Sequence, residues 1–215
     1  MSDIKEMKGN LRKEIKGRLR VLDAESLRRG SHGVAAKLTQ LGIWDSAQGV
    51  SVYLSMPIME LQTQPIIAEL FKAGKRVYVP KIMGGKSADM KMVQILNLEE
   101  VEAFPQTKWK IPEPPLELLE ERAEGVANGD IDLVIAPGLG FDASCQRLGH
   151  GMGYYDSFFE RCFASRVRHG KPRPTVVGVG LDEQVVESIP IESHDVALCA
   201  IVTPSYHFQN GASSS

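Results

Sequence analysis

Cysteine is scarce in this chain, and apolar runs are short. The three cysteines, Cys145, Cys162 and Cys199, are odd in number and widely spaced, so neither a disulfide framework nor a zinc site is indicated. The longest apolar runs, such as 133–139, fall far short of the roughly 20 residues that a membrane-spanning helix needs. The N-terminal ten residues have no apolar core and include acidic residues, unlike a secretory or mitochondrial presequence. These absences predict a reduced, cytoplasmic location.

The chain also lacks a strong charge of either sign. Its net charge at pH 7 is −2, which gives no general reason to expect nucleic acid or an acidic membrane as a partner. Apolar residues make up 43% of the 215 residues and charged residues 24%, as in soluble globular proteins. The sequence contains no internal repeat and no linker. We therefore predict a monomer with a single domain over residues 1–208 and a frayed tail at 209–215.

Helical and strand patterns alternate along the chain. Apolar residues recur at three- and four-residue steps over residues 3–22, and the same helix carries a basic stripe of Lys8, Arg12, Lys16 and Arg20. Further helices are predicted from a cap at Asp23 to about Leu41, between Thr63 and Gly74, at 116–124 and at 154–167. Strands are predicted at 49–56, 76–81, 90–95, 131–136, 175–181 and 197–203. This alternation predicts an α/β fold with a mainly parallel sheet and helices on both faces.

The most informative segment is 130–156, DIDLVIAPGLGFDASCQRLGHGMGYYD. Its apolar strand ends in Pro137-Gly138-Leu139-Gly140, and a second glycine cluster at 149–153 lies between Arg147 and the helix that starts near Tyr154. Glycines let the backbone approach a ligand and turn N–H groups toward an anion. Arginine and the start of a helix add charge and donors. The layout predicts a phosphate cradle at the carboxyl end of a strand; the alternative is a tight glycine-rich connection without a ligand.

This cradle matches neither of two common nucleotide-binding motifs. No G-x-x-x-x-G-K-[ST] sequence occurs, and the glycines at 149–153 lack the spacing of the dinucleotide fingerprint. The basic stripe is also compatible with a solvated helix face, and Asp156 and Asp195 with surface or capping residues. His150 is expected outside the core, and His194 beside Asp195 is compatible with a turn cap. Ser144-Cys145 has no base at a recognisable spacing, so no nucleophile is predicted there.

Several motifs resemble those of the 5-formyltetrahydrofolate cyclo-ligase family. The most distinctive are Pro137-Gly-Leu-Gly-Phe-Asp142 and Arg147-Leu-Gly-His-Gly-Met-Gly-Tyr-Tyr-Asp156. The others are Lys8-x-x-Leu-Arg12, Leu54-Ser-Met56 with Glu60-x-x-Thr63, Trp109-x-Ile-Pro-Glu-Pro114 and His194-Asp195. Their order and spacing cover nearly the whole chain. The resemblance implies a single-domain α/β fold with a three-layer, Rossmann-like arrangement.

The resemblance also implies an activity. In this family ATP, with Mg²⁺, phosphorylates the formyl oxygen of 5-formyltetrahydrofolate, N10 attacks the activated carbon, and loss of phosphate leaves 5,10-methenyltetrahydrofolate. ADP and phosphate are released, so the implied partners are 5-formyltetrahydrofolate and ATP. Two alternatives stay open at this point. One is a non-catalytic folate- or nucleotide-binding protein, and the other is a sugar-phosphate isomerase of similar architecture, which would not need ATP.

By similarity, the expected site residues fall into four groups. The catalytic group is Arg147, His150 and Tyr154. The ATP-binding group is Lys8, Gly9, Asn10, Leu11, Arg12, Arg147, Leu148, Gly149, His150, Gly151, Met152, Gly153, Tyr154 and Tyr155. The folate-binding group is Leu54, Glu60, Trp109, His150, Gly151, Met152, Gly153 and Tyr154. The expected Mg²⁺ ligands are Asp156 and Asp195. Met152 stands where many relatives carry lysine and His150 where others carry arginine, so some phosphate-facing charge is missing or pH-dependent.

Overall fold

The computed structural model describes residues 2–84, 90–192 and 195–211. Its helices are α1 Ser2–Arg20, α2 Ala24–Leu38, α3 Gly42–Ser46, α4 Gln64–Lys72, α5 Leu98–Ala103, α6 Leu118–Glu121 and α7 Tyr154–Arg168. Its strands are β1 Gly49–Val52, β2 Arg76–Ile82, β3 Met90–Ile95, β4 Leu133–Ala136, β5 Gly140–Phe141, β6 Arg147–Leu148, β7 Thr175–Val179, β8 Ala200–Val202 and β9 His207–Gln209. A 3-10 turn at Asp182–Gln184 follows β7. His194 lies outside the described residues.

The main sheet has seven strands in the order β3-β2-β1-β4-β7-β8-β9. The five central strands are parallel, whereas β3 and β9 run antiparallel at the two edges. Side chains of β4 alternate between two apolar clusters. Leu133 and Ile135 pack in the cluster that contains residues of α2 and α4, and Val134 and Ala136 pack in the cluster that contains Phe158 of α7. The predicted mainly parallel sheet with helices on both faces is confirmed.

Five short elements were not predicted: α3, α5, β5, β6 and β9. The six-residue α5 begins at Asn97, whose side chain accepts a hydrogen bond from the Glu100 backbone N–H at 2.9 Å. Helices and strands this short contain too little periodicity to identify from sequence. Gln209 pairs with Ala200 in β9, so the folded chain extends beyond the predicted boundary at residue 208. None of the described helices is long and apolar enough to cross a bilayer.

The strand order changes direction at β1. Strands β2 and β3 lie on one side of β1, and β4, β7 and β8 lie on the other. In open α/β sheets, such a point leaves a crevice beyond the carboxyl ends of the strands, where ligands bind. The segments that follow β1 and β4 contain most of the expected site residues. Helix α1 lies against the same end, because a Cβ on Gly140 would be only 2.6 Å from Ile15 Cδ1.

Candidate functional site

A short hairpin, which was not predicted, presents the glycine loop. Strands β5 and β6 pair antiparallel, and the buried carboxylate of Asp142 holds the turn between them. This carboxylate accepts hydrogen bonds from the backbone N–H groups of Ser144, Gln146 and Ile189 at 2.9, 3.1 and 2.8 Å. A Cβ at Gly138 would lie 2.5 Å from the Phe141 ring, so this position needs glycine for close packing. The Gly-Phe-Asp motif therefore builds a rigid support for Arg147.

The loop at residues 149–153 turns sharply into α7. Gly151 and Gly153 have φ angles of +98° and +71°, which other residues rarely adopt. Arg12 of α1 donates from Nε to the Gly149 carbonyl at 2.9 Å, which fixes the loop against the first helix. Gly153 precedes the first residue of the 15-residue α7, so the N-terminal N–H groups of this helix face the loop region. Helix α1 and the glycine loop therefore lie side by side at Arg12.

Cationic side chains surround His150 in this loop. Desolvation by the surrounding protein disfavours the charged imidazole and lowers the pKa of His150, although part of the residue is exposed. The charges of Lys16, Arg12 and Arg147 lower this pKa further. Its imidazole is therefore neutral near pH 7. In the described part of the chain, no carboxylate pairs with Arg12 or Lys16. The sequence indicates Lys16 only as a member of the basic stripe. In the structure it lies one helical turn after Arg12, which places it beside the loop.

The other two expected phosphate-binding cations have acidic partners. Lys8 Nζ is 2.9 Å from Glu192 Oε2 and 2.6 Å from Asp195 Oδ2, and Lys8 is buried. Burial disfavours the charged form of Lys8, but the hydrogen bonds and charges of these two carboxylates outweigh it and raise the pKa of Lys8. Arg147 forms an ion pair with Asp156, and its side chain is 7% exposed. The two expected Mg²⁺ ligands are thus held by the two expected phosphate ligands. Glu192 was not anticipated.

A carboxylate lies on the other side of the crevice. Leu54 follows β1 and is buried, and Glu60 lies in the loop beyond it. The backbone N–H of Met56 donates to Glu60 Oε2 at 2.7 Å. Burial raises the pKa of Glu60 to about 7, although this hydrogen bond lowers it. The negative charge of Glu60 in turn adds to the burial that raises the pKa of Tyr155, so the two side chains are neighbours.

We expect the burial of Glu60 to reduce the stability of the free protein at high pH. A carboxyl whose pKa rises from 4.5 unfolded to about 7 folded loses stability as the pH rises through that interval. Glu60→Gln should therefore raise the free energy of unfolding by about 1–3 kcal/mol at pH 8, after discounting for partial exposure, and by less at pH 5. Urea denaturation at several pH values measures this. The exposed Glu102→Gln variant is the control, and a pH-independent gain would contradict the prediction.

Trp109 and Met152 are two large apolar residues of the expected site that are each 64% exposed. Trp109 lies in a loop that is closed by an isolated antiparallel β-bridge between residues 106 and 112. Within this loop, the Lys110 backbone N–H donates a hydrogen bond to the Thr107 carbonyl. The loop is anchored to β2 by Glu113, which accepts from Lys81 Nζ at 2.8 Å. Lys108 Nζ lies 5.4 Å from the centroid of the indole, which is otherwise largely exposed. Met152 faces solvent within the glycine loop.

These features define an α/β protein with a cation-lined glycine loop at the carboxyl end of a mainly parallel sheet. The model of the 5-formyltetrahydrofolate cyclo-ligase family matches residues 4–204. The chain therefore belongs to the 5-formyltetrahydrofolate cyclo-ligase family.

Known proteins are similar along almost the whole chain. The mouse 5-formyltetrahydrofolate cyclo-ligase is 36% identical over 189 residues, which are 88% of this chain and 89% of the mouse protein. The Escherichia coli K12 cyclo-ligase is 33% identical over 191 residues, 89% of this chain and 97% of that protein. The NMR structure of Aquifex aeolicus 5,10-methenyltetrahydrofolate synthetase has a TM-score of 0.72 and 25% identity, and it covers 97% of this chain and 95% of its own. Fold and sequence similarity agree.

Proposed function

We propose that this chain is the enzyme that cyclises 5-formyltetrahydrofolate to 5,10-methenyltetrahydrofolate with ATP, releasing ADP and phosphate. The observation that carries the proposal is structural: Arg147, which precedes the cation-lined glycine loop, packs on the ring of Tyr155, and the partly buried carboxylate of Glu60 lies near the same tyrosine. The glycine loop can bind the phosphates of a nucleotide, and Glu60 can accept hydrogen bonds from the donor edge of a pterin, so the two substrates would lie side by side. Family membership supports the same reading.

The phosphate side of the site addresses the difficult step. A formamide oxygen is a weak nucleophile, so its phosphorylation depends on positioning and on neutralising the charge of the triphosphate. Arg12, Lys16 and Arg147 supply positive charge around residues 149–153. Backbone N–H groups at the start of α7 add donors for the phosphoryl group in transit. Neutral His150 contributes an N–H donor without adding repulsion to its cationic neighbours.

The folate side of the site holds 5-formyltetrahydrofolate, whose formyl oxygen accepts the phosphoryl group. Glu60, when ionised, accepts hydrogen bonds from the donor edge of the pterin, which also favours the ionised form. Leu54 supplies an apolar wall, and exposed Trp109 is placed to stack on a substrate ring. Tyr154 starts α7, directly after the glycine loop. After phosphorylation, N10 attacks the formyl carbon, the original oxygen leaves with phosphate, and the methenyl bridge remains.

Mg²⁺ is a proposed companion of ATP. Asp156 and Asp195 suit it chemically, because Mg²⁺ prefers carboxylate, water and phosphate oxygens, and their side chains are 38% and 20% exposed. No group of three or more metal-binding side chains occurs among the described residues, but Mg²⁺ sites of nucleotide enzymes commonly use only one or two carboxylates. When bound, the ion would neutralise phosphate charge. Lys8 and Arg147, which now contact these carboxylates, would then contact phosphate instead.

Removing either carboxylate should raise the requirement for Mg²⁺. Asp156→Asn and Asp195→Asn keep the size of the side chain but remove its charge, so the Mg²⁺ concentration for half-maximal turnover should increase about ten-fold or more. Titration of turnover with Mg²⁺ at fixed ATP measures this. Asp45→Asn, at an exposed position of α3, is the control. An unchanged Mg²⁺ requirement in folded variants would refute the assignment.

Helix α1 should contribute mainly to ATP binding. Alanine at Lys8, Arg12 or Lys16 removes a charge-assisted contact worth about 1.5–3 kcal/mol, so the KM for ATP should rise about ten- to a hundred-fold. The KM for 5-formyltetrahydrofolate should change less. Lys13→Ala, on the exposed face of the same helix, is the control. Equal effects on both KM values, or none, would leave the basic stripe as a solvated face.

The activity itself is tested by one assay. Purified protein, 5-formyltetrahydrofolate and ATP should give the absorbance of the methenyl product, with one ADP per product, and turnover should depend on Mg²⁺. Binding of both substrates without product would instead favour the non-catalytic binding protein. We also propose a cytoplasmic monomer, which the three free cysteines and the near-neutral charge support. Sedimentation and localisation of a tagged chain test these two points.

A further inference from the structure

The hydroxyl of Tyr155 has no partner. Its oxygen is buried and makes no hydrogen bond within the described chain. The ring is well held, because it packs edge-on against Phe158 and Phe159 with centroids 5.9 Å away in each case. Buried tyrosine hydroxyls are normally hydrogen-bonded, since a buried unpaired donor is costly. A group that is fixed and unpaired in the free protein is a candidate for pairing in a complex.

Glu60 is the complementary group. Among the described residues, only the Met56 N–H donates to its carboxylate, and this bond uses Oε2. The carboxylate has no cationic partner in the same part of the chain. It is near enough for its charge to act on the Tyr155 phenol. Tyr155 also packs against the apolar cluster that contains Leu54 and Leu61, the residue after Glu60. An unpaired donor and an underused acceptor therefore lie in the same region without being hydrogen-bonded.

Tyr155 also touches the phosphate side. The guanidinium carbon of Arg147 lies 5.9 Å from the centroid of the Tyr155 ring and 5.4 Å from that of Phe159. The orientation of this ring consequently helps to set the position of the arginine, which also pairs with Asp156. One side chain thus contacts the proposed phosphate-binding arginine through its ring face, and its unpaired hydroxyl lies near the proposed folate carboxylate.

We propose that Tyr155 is a positioning residue whose hydroxyl donates a hydrogen bond to Glu60 when the folate is bound, so that folate binding is coupled to Arg147 through the tyrosine ring on which the arginine packs. The inference rests on the proposed function, because it takes Glu60 as a folate contact. Donors of the bound pterin stabilise the ionised carboxylate, and an ionised carboxylate is the stronger acceptor. The resemblance had assigned Tyr155 to ATP alone; the geometry gives it a role toward both substrates.

Tyr53 provides a matched comparison. It also lies next to Glu60, whose charge adds to the burial that raises the pKa of Tyr53. Its hydroxyl, however, already donates to the Leu61 carbonyl at 3.1 Å. Tyr53→Phe removes a hydrogen bond of the free protein, whereas Tyr155→Phe removes a hydroxyl that has none. The two variants change the same atom and should behave differently.

The test is a double-mutant cycle of Tyr155→Phe and Glu60→Gln, measured on folate binding and on stability. Calorimetric titration with 5-formyltetrahydrofolate in the absence of ATP should show about ten-fold weaker binding for Tyr155→Phe, and much less effect of the same change in the Glu60→Gln background. Urea denaturation of the free protein should show no coupling between the two sites and no loss for Tyr155→Phe. Tyr53→Phe should lose stability and show no such coupling in binding.

Additive effects on binding, or equal coupling in binding and in free-protein stability, would overturn the inference. In the second case the hydroxyl would already be paired with Glu60 before the substrate arrives. A further readout is turnover at saturating folate: Tyr155→Phe should raise the KM for ATP about two- to five-fold through Arg147, which a change confined to the folate pocket would not do. Wild-type binding and turnover are measured alongside. Their absence would refute the proposed function, whereas their presence with an additive cycle would refute only the role of Tyr155.

Discussion

Replacing Arg147 by alanine is expected to lower ATP-dependent turnover about ten- to a hundred-fold, the loss of one charge-assisted phosphate contact of about 1.5–3 kcal/mol. Arg147 lies two residues before Gly149, where the glycine loop starts. Its side chain is 7% exposed, and a Cβ at Gly149 would lie 3.1 Å from its Nη1. The ion pair with Asp156 and the rings of Tyr155 and Phe159 hold the guanidinium in place. Such preorganisation makes its charge effective when a phosphoryl group passes.

The variant Arg147→Lys separates charge from geometry. Lysine keeps the positive charge but loses the planar fork that can contact two oxygens at once, so it should recover only part of the activity. Thermal unfolding must be measured in parallel, because alanine also removes the packing of the arginine on two aromatic rings. A folded alanine variant with unchanged kcat and KM would exclude Arg147 from the phosphate site.

The elements that form the site differ in how far they could be predicted from sequence. Helix α1 has several turns in which apolar and basic residues recur at regular spacing, so its approximate extent and its basic stripe could be predicted from the sequence. The strand before the glycine loop and the helix after it were also recognisable, because glycine, arginine and aromatic residues mark the change between them. The contact of Arg12 with the Gly149 carbonyl required the fold, since 137 positions separate the two residues.

Other features had no local signal. Strands β5 and β6 contain two residues each, which is too short for any alternation to show. Glu192 and Lys16 look like ordinary surface charges in the sequence, and only the packing of α1 against the carboxyl end of the sheet brings them to the site. The unpaired hydroxyl of Tyr155 is likewise a property of its surroundings. The resemblance to the cyclo-ligase family identifies which positions belong to the expected site, but it does not show the direction in which each side chain faces.

Asp142 illustrates how a residue in a distinctive motif acts through structure. We expect Asp142→Ala to lower the free energy of unfolding by about 3–5 kcal/mol, because three backbone N–H groups lose a buried, charged acceptor together. Two of these N–H groups, from Ser144 and Gln146, close the turn between β5 and β6. The third, from Ile189, ties the hairpin to the chain segment that leads to Glu192 and the carboxylate partners of Lys8. Urea denaturation measures the loss.

Asp142→Asn is the discriminating variant, because it preserves size and one acceptor. The carbonyl oxygen of the asparagine, in the position of Oδ1, can still accept hydrogen bonds from the Ser144 and Gln146 N–H groups. Its NH₂ group then faces the Ile189 N–H, and because both groups are donors they cannot form a hydrogen bond. The turn should survive while the attachment of the 185–192 segment weakens. We therefore expect a smaller loss of stability, of about 1–3 kcal/mol, and a clear rise in the KM for ATP, because Lys8 and its acidic partners shift relative to the glycine loop. Equal stability losses in the alanine and asparagine variants, with no change in the KM for ATP, would mean that Asp142 only closes the hairpin and does not link it to the Lys8 side of the site.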